Sequence, residues 1–274
     1  EKRVAIKYEQ TFTDWDINNH PIINNKSIKA DYTVFALGGS SWKITGSDGA
    51  WLDTFSNKGI NTKPFQASNC GYKIAWKSEF IQKNEGTPLK NIAISCGDAT
   101  QKGEAVITKF GLEGNAIYGL SPQIRAQLAT KSTATIFIDF KPSLSIEKVL
   151  SKIKSSNQKN ATATLKKELK LSSVQIDLLK THLSKETYLN TKSLTNSIKK
   201  FPLEITNTAT IDEAISTVGG INLDAITKNF ELKNLQNQYC IGEMLSWDAP
   251  TGGYLLQACA SNGVLLAKHL NEIN

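Results

Sequence analysis

Arginine is almost missing from this 274-residue chain: Arg3 and Arg125 are the only two among 32 basic residues. Specific nucleic-acid readers rely on bidentate Arg contacts and stacking aromatics, so nucleic acid is not an expected partner. Long apolar runs are missing as well. No stretch approaches the ~18 residues of a membrane span, and Glu1-Lys2-Arg3-Val4 lacks the apolar stretch of a signal peptide. The expectation is a soluble, cytoplasmic chain with no membrane partner. The first residue is not Met, which suggests a start inside a longer product. Cysteine is sparse: Cys70, Cys96, Cys240 and Cys259 are too scattered for a zinc site or a redox dithiol, and are expected as free thiols in a reducing compartment. His20, His182 and His269 fit no metal or triad spacing, and no Walker-type loop occurs.

What is present is an ordinary globular composition, 40% hydrophobic and 21% charged, in a chain long enough for more than one domain. The net charge of +7 is unevenly placed. Residues 141–200 hold 13 Lys against 4 acidic residues, with Tyr188 the only aromatic within them and Phe140 just before. Leu and Ile recur there at helical spacing and Gly is absent, so the segment reads as a small helical subdomain with a solvated lysine face.

Along the chain, Val4–Phe12 reads as a strand. Asn24-Asn25 reads as the turn of a hairpin between Ile22-Ile23 and Ser27-Ile28. Tyr32–Leu37 is a short continuous apolar run, the pattern of a strand buried in a parallel sheet. A helix is expected over Asp48–Lys58, closed by Gly59. Strands Tyr72–Trp76, Asn91–Ser95, Glu104–Thr108 and Thr133–Phe140, separated by Gly and Pro turns, predict an antiparallel β domain. Ser121 is expected to cap a helix with Pro122 at its first position. Helices are predicted over Ile146–Lys154, Ala161–Leu169, Val174–Leu183 and Ser193–Lys199. Mixed structure over Ala209–Val218 is expected to end at Gly219-Gly220. A strand at Gln238–Ile241 and a helix over Leu255–Leu270, with Thr251 as cap, complete the reading.

Two stretches carry chemistry. The Tyr32–Leu37 strand ends in Gly38-Gly39-Ser40, and ligands sit outside the carboxyl ends of parallel strands. The second runs Ile241-Gly242-Glu243, then a loop holding Asp248, then Thr251-Gly252-Gly253-Tyr254 at the start of the last helix. Free amides at a helix N-terminus favour anionic or electron-rich groups.

Together these stretches resemble the three-domain FAD-binding oxidoreductase family often labelled aminoacetone oxidase-like, related to other two-dinucleotide-fold flavoproteins. Thr45-Gly46-Ser47-Asp48-Gly49 and the closing signature Ile241 to Gln257 match that family in order. Thr108–Gly114 and Ser216–Ile221 match more weakly. The resemblance implies an α/β fold: a partial FAD-binding (Rossmann-like, two-dinucleotide-fold) domain with an inserted antiparallel β domain and a small helical subdomain. The implied boundaries are 1–66 for the middle part of the FAD-binding domain, 67–140 for the β insertion and 141–202 for the lysine-rich helices. A return segment follows at 203–235, and 236–274 is the C-terminal part of the FAD-binding domain. The implied cofactor residues are Gly38, Gly39, Ser40, Gly242, Glu243, Asp248, Thr251, Gly252, Gly253 and Tyr254, with Glu243 against a ribityl hydroxyl. The family's opening Gly-x-Gly-x-x-Gly turn is absent from this sequence, so FAD is expected to bind weakly or not at all to this chain alone. In the intact protein FAD would exchange a hydride with an unidentified small-molecule substrate or NAD(P)H. No catalytic acid or base is evident. An exposed sheet edge would favour a homo-oligomer. The alternative is a non-catalytic module acting through its lysine-rich part on an acidic or nucleic-acid partner.

Overall fold

The computed structural model describes residues 4–273. Two compact units divide the chain. One is built from the residues before Ser68 and from Ser216 onward, the other from Ser68–Ile215.

The first unit opens with β1 (Phe12–Trp15), β2 (Pro21–Ile23) and β3 (Lys26–Ser27), a three-stranded antiparallel meander. Asn24 and Asn25 sit at φ 48° and 62° between paired Ile23 and Lys26, the geometry of a two-residue hairpin turn that Asn tolerates. β4 (Thr33–Phe35), α1 (Trp51–Asn57) and β5 (Thr62–Ser68) follow. The strand expected over Val4–Phe12 does not form; pairing begins only at Phe12. The residues before it have no partner strand among the described residues, and Val4, Ile6 and Tyr8 stay exposed.

In the second unit the order is β6 (Tyr72–Lys73), α2 (Ser78–Asn84), β7 (Pro88–Cys96), β8 (Ala99–Thr108), β9 (Gly111–Glu113), α3 (Asn115–Tyr118), α4 (Ser121–Lys131) and β10 (Ala134–Asp139). The helices α5 (Ile146–Lys154), α6 (Ala161–Glu168), α7 (Ser173–His182), α8 (Lys185–Leu189) and α9 (Thr191–Lys199) lead into β11 (Phe201–Ile205) and β12 (Asn207–Thr208). Seven strands form one sheet in the order β11-β10-β7-β8-β9-β6-β12, with antiparallel neighbours. The five helices are an excursion between β10 and β11, which pair directly. Their starts follow from local capping: Ser145, Asn160, Ser184 and Asn190 each accept a backbone N–H, and Ser172 with Gln175 makes a capping box. Ser121 departs from its expected role. It is the first residue of α4, and its hydroxyl accepts from Tyr72 Oη at 2.7 Å and from the Asn69 N–H at 3.3 Å. That buried network takes the oxygen a cap would have used.

β13 (Ser216–Ile221), β14 (Gln238–Cys240) and α10 (Tyr254–Ile273) complete the first unit. β13 runs through Gly219-Gly220 instead of ending there. A Cβ at these positions would lie 2.5 Å from the Pro64 carbonyl oxygen and 2.2 Å from that of Met244, so the glycines admit two neighbouring backbones. β14 pairs parallel with β4, Tyr239 opposite Val34. Beneath them Phe12, Trp15, Phe35 and Phe55 stack edge-to-face or tilted, with ring centroids 4.9–5.9 Å apart. Trp15 Nε1 donates to Gln238 Oε1 at 2.7 Å, which ties the meander to β14 and satisfies both buried polar groups. Among the described residues no helix is long and apolar enough to cross a membrane, and no cluster of His, Cys, Asp or Glu is suited to a metal ion.

Candidate functional site

Parallel pairing puts the carboxyl ends of β4 and β14 side by side, so Gly38-Gly39-Ser40 and Gly242-Glu243 converge although some 200 residues separate them in sequence. The third contributor is Thr217 on β13. Its hydroxyl accepts the Ser40 N–H at 3.2 Å, and its own N–H donates to Glu243 Oε1 at 3.4 Å. Gly39 is buried between them. A Cβ there would lie 2.4 Å from Thr217 Oγ1 and 2.9 Å from both Glu243 Cδ and Oε1. Glycine at 39 is what lets a carboxylate lie against the end of a central strand.

Burial pushes the Glu243 carboxyl above the usual carboxylate range, and the backbone amides of Thr217 and Gly39 oppose that only in part. Trp51 Nε1 donates to the Gly38 carbonyl at 3.2 Å, and Ser40 Oγ donates to the Asp48 carbonyl at 3.2 Å. These bonds hold the glycine loop onto α1 and the Thr45–Gly49 segment that the sequence had singled out.

The later residues sit on the next loop and helix. Asp248 is partly buried, Thr251 is partly buried, and Gly252, Gly253 and Tyr254 are exposed. Thr251 is not the helix cap. α10 begins at Tyr254, and the Gln257 N–H donates to the Gly253 carbonyl at 3.0 Å, so Gly253 occupies the capping position. Gly252 and Gly253 adopt φ 104° and 90°, a left-handed turn that carries Thr251 away from the helix end. α10 approaches the strand ends through Cys259, whose sulfur is 3.7 Å from the place a Cβ would take on Gly242. Burial, followed by the Glu243 charge, raises the Cys259 thiol.

Thr217 is the residue that sequence reasoning missed as a site member. Its Ser216–Ile221 segment carries a weak family resemblance, but nothing in the spacing says that this strand meets Glu243. The histidines serve locally: His20 Nδ1 lies 3.2 Å from Asp16 Oδ2, His182 Nδ1 lies 3.1 Å from the Leu178 carbonyl, and His269 Nε2 lies 3.3 Å from Asn229 Nδ2.

Residues 66–216, more than half of the chain, match the family model described as HI0933-like protein barrel and H2TH domain. The chain belongs to the HI0933-like family. This is a flavoprotein-type family of FAD-dependent oxidoreductases. The match falls on the sheet-and-helix unit, whose antiparallel strands and five-helix excursion suit that description. A 3-dehydro-bile acid delta(4,6)-reductase of Clostridium scindens is 23% identical over 260 residues, covering 89% of this chain and 63% of the relative. The chain thus spans less than two thirds of the length of that curated relative.

Proposed function

We propose that this HI0933-like chain carries the flavin half of an FAD site, and that the complete oxidoreductase moves a hydride between FAD and a small organic substrate or NAD(P)H. The observation that carries the reading is the meeting of Gly39, Thr217 and Glu243 at the carboxyl ends of two parallel strands, where open α/β sheets bind their ligands.

FAD suits the residues present. The Glu243 carboxylate is partly buried and meets the backbone amides of Thr217 and Gly39, which leaves acceptor capacity for the hydroxyls of a ribityl chain. The first amides of α10 have no intrahelical partner, and the bare backbone of Gly252-Gly253 beside them gives access to an electron-rich ring edge. Bound flavin would supply the two-electron redox chemistry. The chain's own residues bind and orient: Glu243 fixes the sugar-like chain, Gly38 and Gly39 allow close approach, and the α10 N-terminus favours negative charge at the ring.

The adenosine half, in this reading, is held by a strand–glycine turn–helix segment lying against β4. Among the described residues β4 pairs with β14 on one side only, Val34 on it is exposed, and α10 carries exposed Tyr254, Leu256 and Leu265. A two-stranded parallel sheet is marginal without further cover. The first unit is then part of a Rossmann-like domain of the two-dinucleotide type, and the aminoacetone oxidase-like pattern describes its closing signature. The relative's name denotes a reductase, which agrees with hydride chemistry.

Anaerobic addition of NADH or NADPH to the flavin-loaded complete protein tests the reaction. Bleaching of the visible flavin band is expected. A complete protein that carries no flavin would overturn the reading.

A further inference from the structure

We infer that the cleft between the β7 bulge, β8 and the loop after β10 is a binding site for a small phosphorylated anion, with Lys90, Lys102 and Lys141 as its ligands. The cleft measures about 650 Å³ and is lined by these three lysines together with Asn91, Ser143 and Glu104, among others. That volume is within the range of small-molecule sites.

The lysines come from three separate places in the fold. The β7–β8 register shifts between Leu89 and Ile92, and Asn91 takes φ 54°, so Lys90 and Asn91 form a bulge opposite Glu104. Bulges re-aim side chains and recur beside functional sites. Lys102 pairs with Ala93, just past the bulge. Lys141 is held by its loop. Its N–H donates to Asp139 Oδ1 at 2.8 Å, its carbonyl accepts Lys199 Nζ at 2.7 Å, and its own Nζ donates to the Lys170 carbonyl at 3.3 Å.

Charge is what singles the cleft out. Lys199 pairs with Asp139 at 2.6 Å and so neutralises the nearby acid. Among the described residues Glu104 is the one carboxylate lining the cleft. Among the described residues Lys90, Lys102 and Lys141 are in no ion pair. Burial, then the Lys170 charge, pulls the Lys141 ammonium below the usual lysine range. Three ammoniums against one carboxylate leave a balance of two positive charges on an anchored backbone. A phosphoryl dianion matches that balance and the donor count, whereas a single carboxylate would leave one charge unmet.

This inference is independent of the flavin reading, because every group lies in the sheet-and-helix unit. Calorimetric titration with inorganic pyrophosphate at low ionic strength tests it. Saturable one-to-one binding that weakens with salt is expected. Lys102→Gln and Lys141→Gln should each weaken it roughly tenfold, or about 1.4 kcal/mol. Lys166→Gln, on α6, should not. Lys102 is exposed, so its variant keeps the test open even if Lys141→Gln does not fold. No saturable binding, or equal affinity in Lys102→Gln, would overturn the inference. So would tight binding of a single-stranded oligonucleotide that pyrophosphate does not displace, since the lysines would then belong to a polyanion surface.

Discussion

Gly39 and Glu243 are locked together: the Cβ that any other residue would place at position 39 falls 2.9 Å from the Glu243 carboxyl carbon. The φ of Gly39 lies outside the left-handed region, so the constraint is one of space alone. Gly39→Ala must displace Thr217 or Glu243. Overpacking of this kind costs about 1–3 kcal/mol. Chemical unfolding should show a loss of that size, together with reduced flavin content in the complete protein. Wild-type stability in Gly39→Ala would mean that the carboxylate moves aside freely.

Glu243 also predicts a pH dependence. Its folded pKa is raised by burial, so between the unfolded and folded values the native state holds the proton more tightly. Its contribution is fully present below the unfolded pKa and is lost as pH rises through the folded one. The residue keeps some solvent contact, which reduces the size of the effect. Glu243→Gln should therefore flatten the fall in melting temperature above the carboxylate range and be the more stable protein at neutral pH. Parallel melting curves for the two proteins across pH would show that Glu243 carries no such shift.

Much of the local structure was legible in the sequence, because the signals were local. The Asn24-Asn25 turn, the helix Ile146–Lys154 and the helix near Val174–Leu183 follow from side chains acting within four residues, and the structure picks Ser145 and Ser172 as the caps of the two helices. The misses have tertiary causes. The residues from Val4 up to Phe12 have strand composition but, among the described residues, no strand beside them. The Ser121 hydroxyl is drawn into the Tyr72 network instead of capping α4. Thr251 is turned away by two left-handed glycines. Thr217 joins the candidate site only because β13 passes beside the ends of β4 and β14, an adjacency no spacing rule encodes.

The free side of β4 gives a prediction about association. Val34 is 42% exposed on a strand that, among the described residues, is paired on one side only, and open edges of this kind template pairing between chains. The isolated chain should self-associate with rising concentration in light scattering. Val34→Lys, a charge that blunts edges, should reduce that association. A monomer at all concentrations would show that the edge is already protected.

The lysine-rich helices should be silent in cofactor binding. Lys148, Lys166 and Lys185 are exposed on α5, α6 and α8. Changing all three to Gln should alter solubility and salt response while leaving flavin content unchanged. Loss of flavin in that triple variant would place the helices at the cofactor.

The central claim is that Glu243 holds the flavin half of FAD. Its most direct test is a flavin-fluorescence titration of the chain joined to a strand–glycine turn–helix segment, with and without Glu243→Ala, alongside the chain by itself. Hydrogen bonds to a charged group contribute about 1.5–3 kcal/mol, so Glu243→Ala should weaken FAD binding by roughly ten- to a hundredfold, and the chain by itself should bind FAD poorly. Equal affinity in the joined protein with and without Glu243, or stoichiometric submicromolar binding by the chain alone that ignores the substitution, would contradict the account.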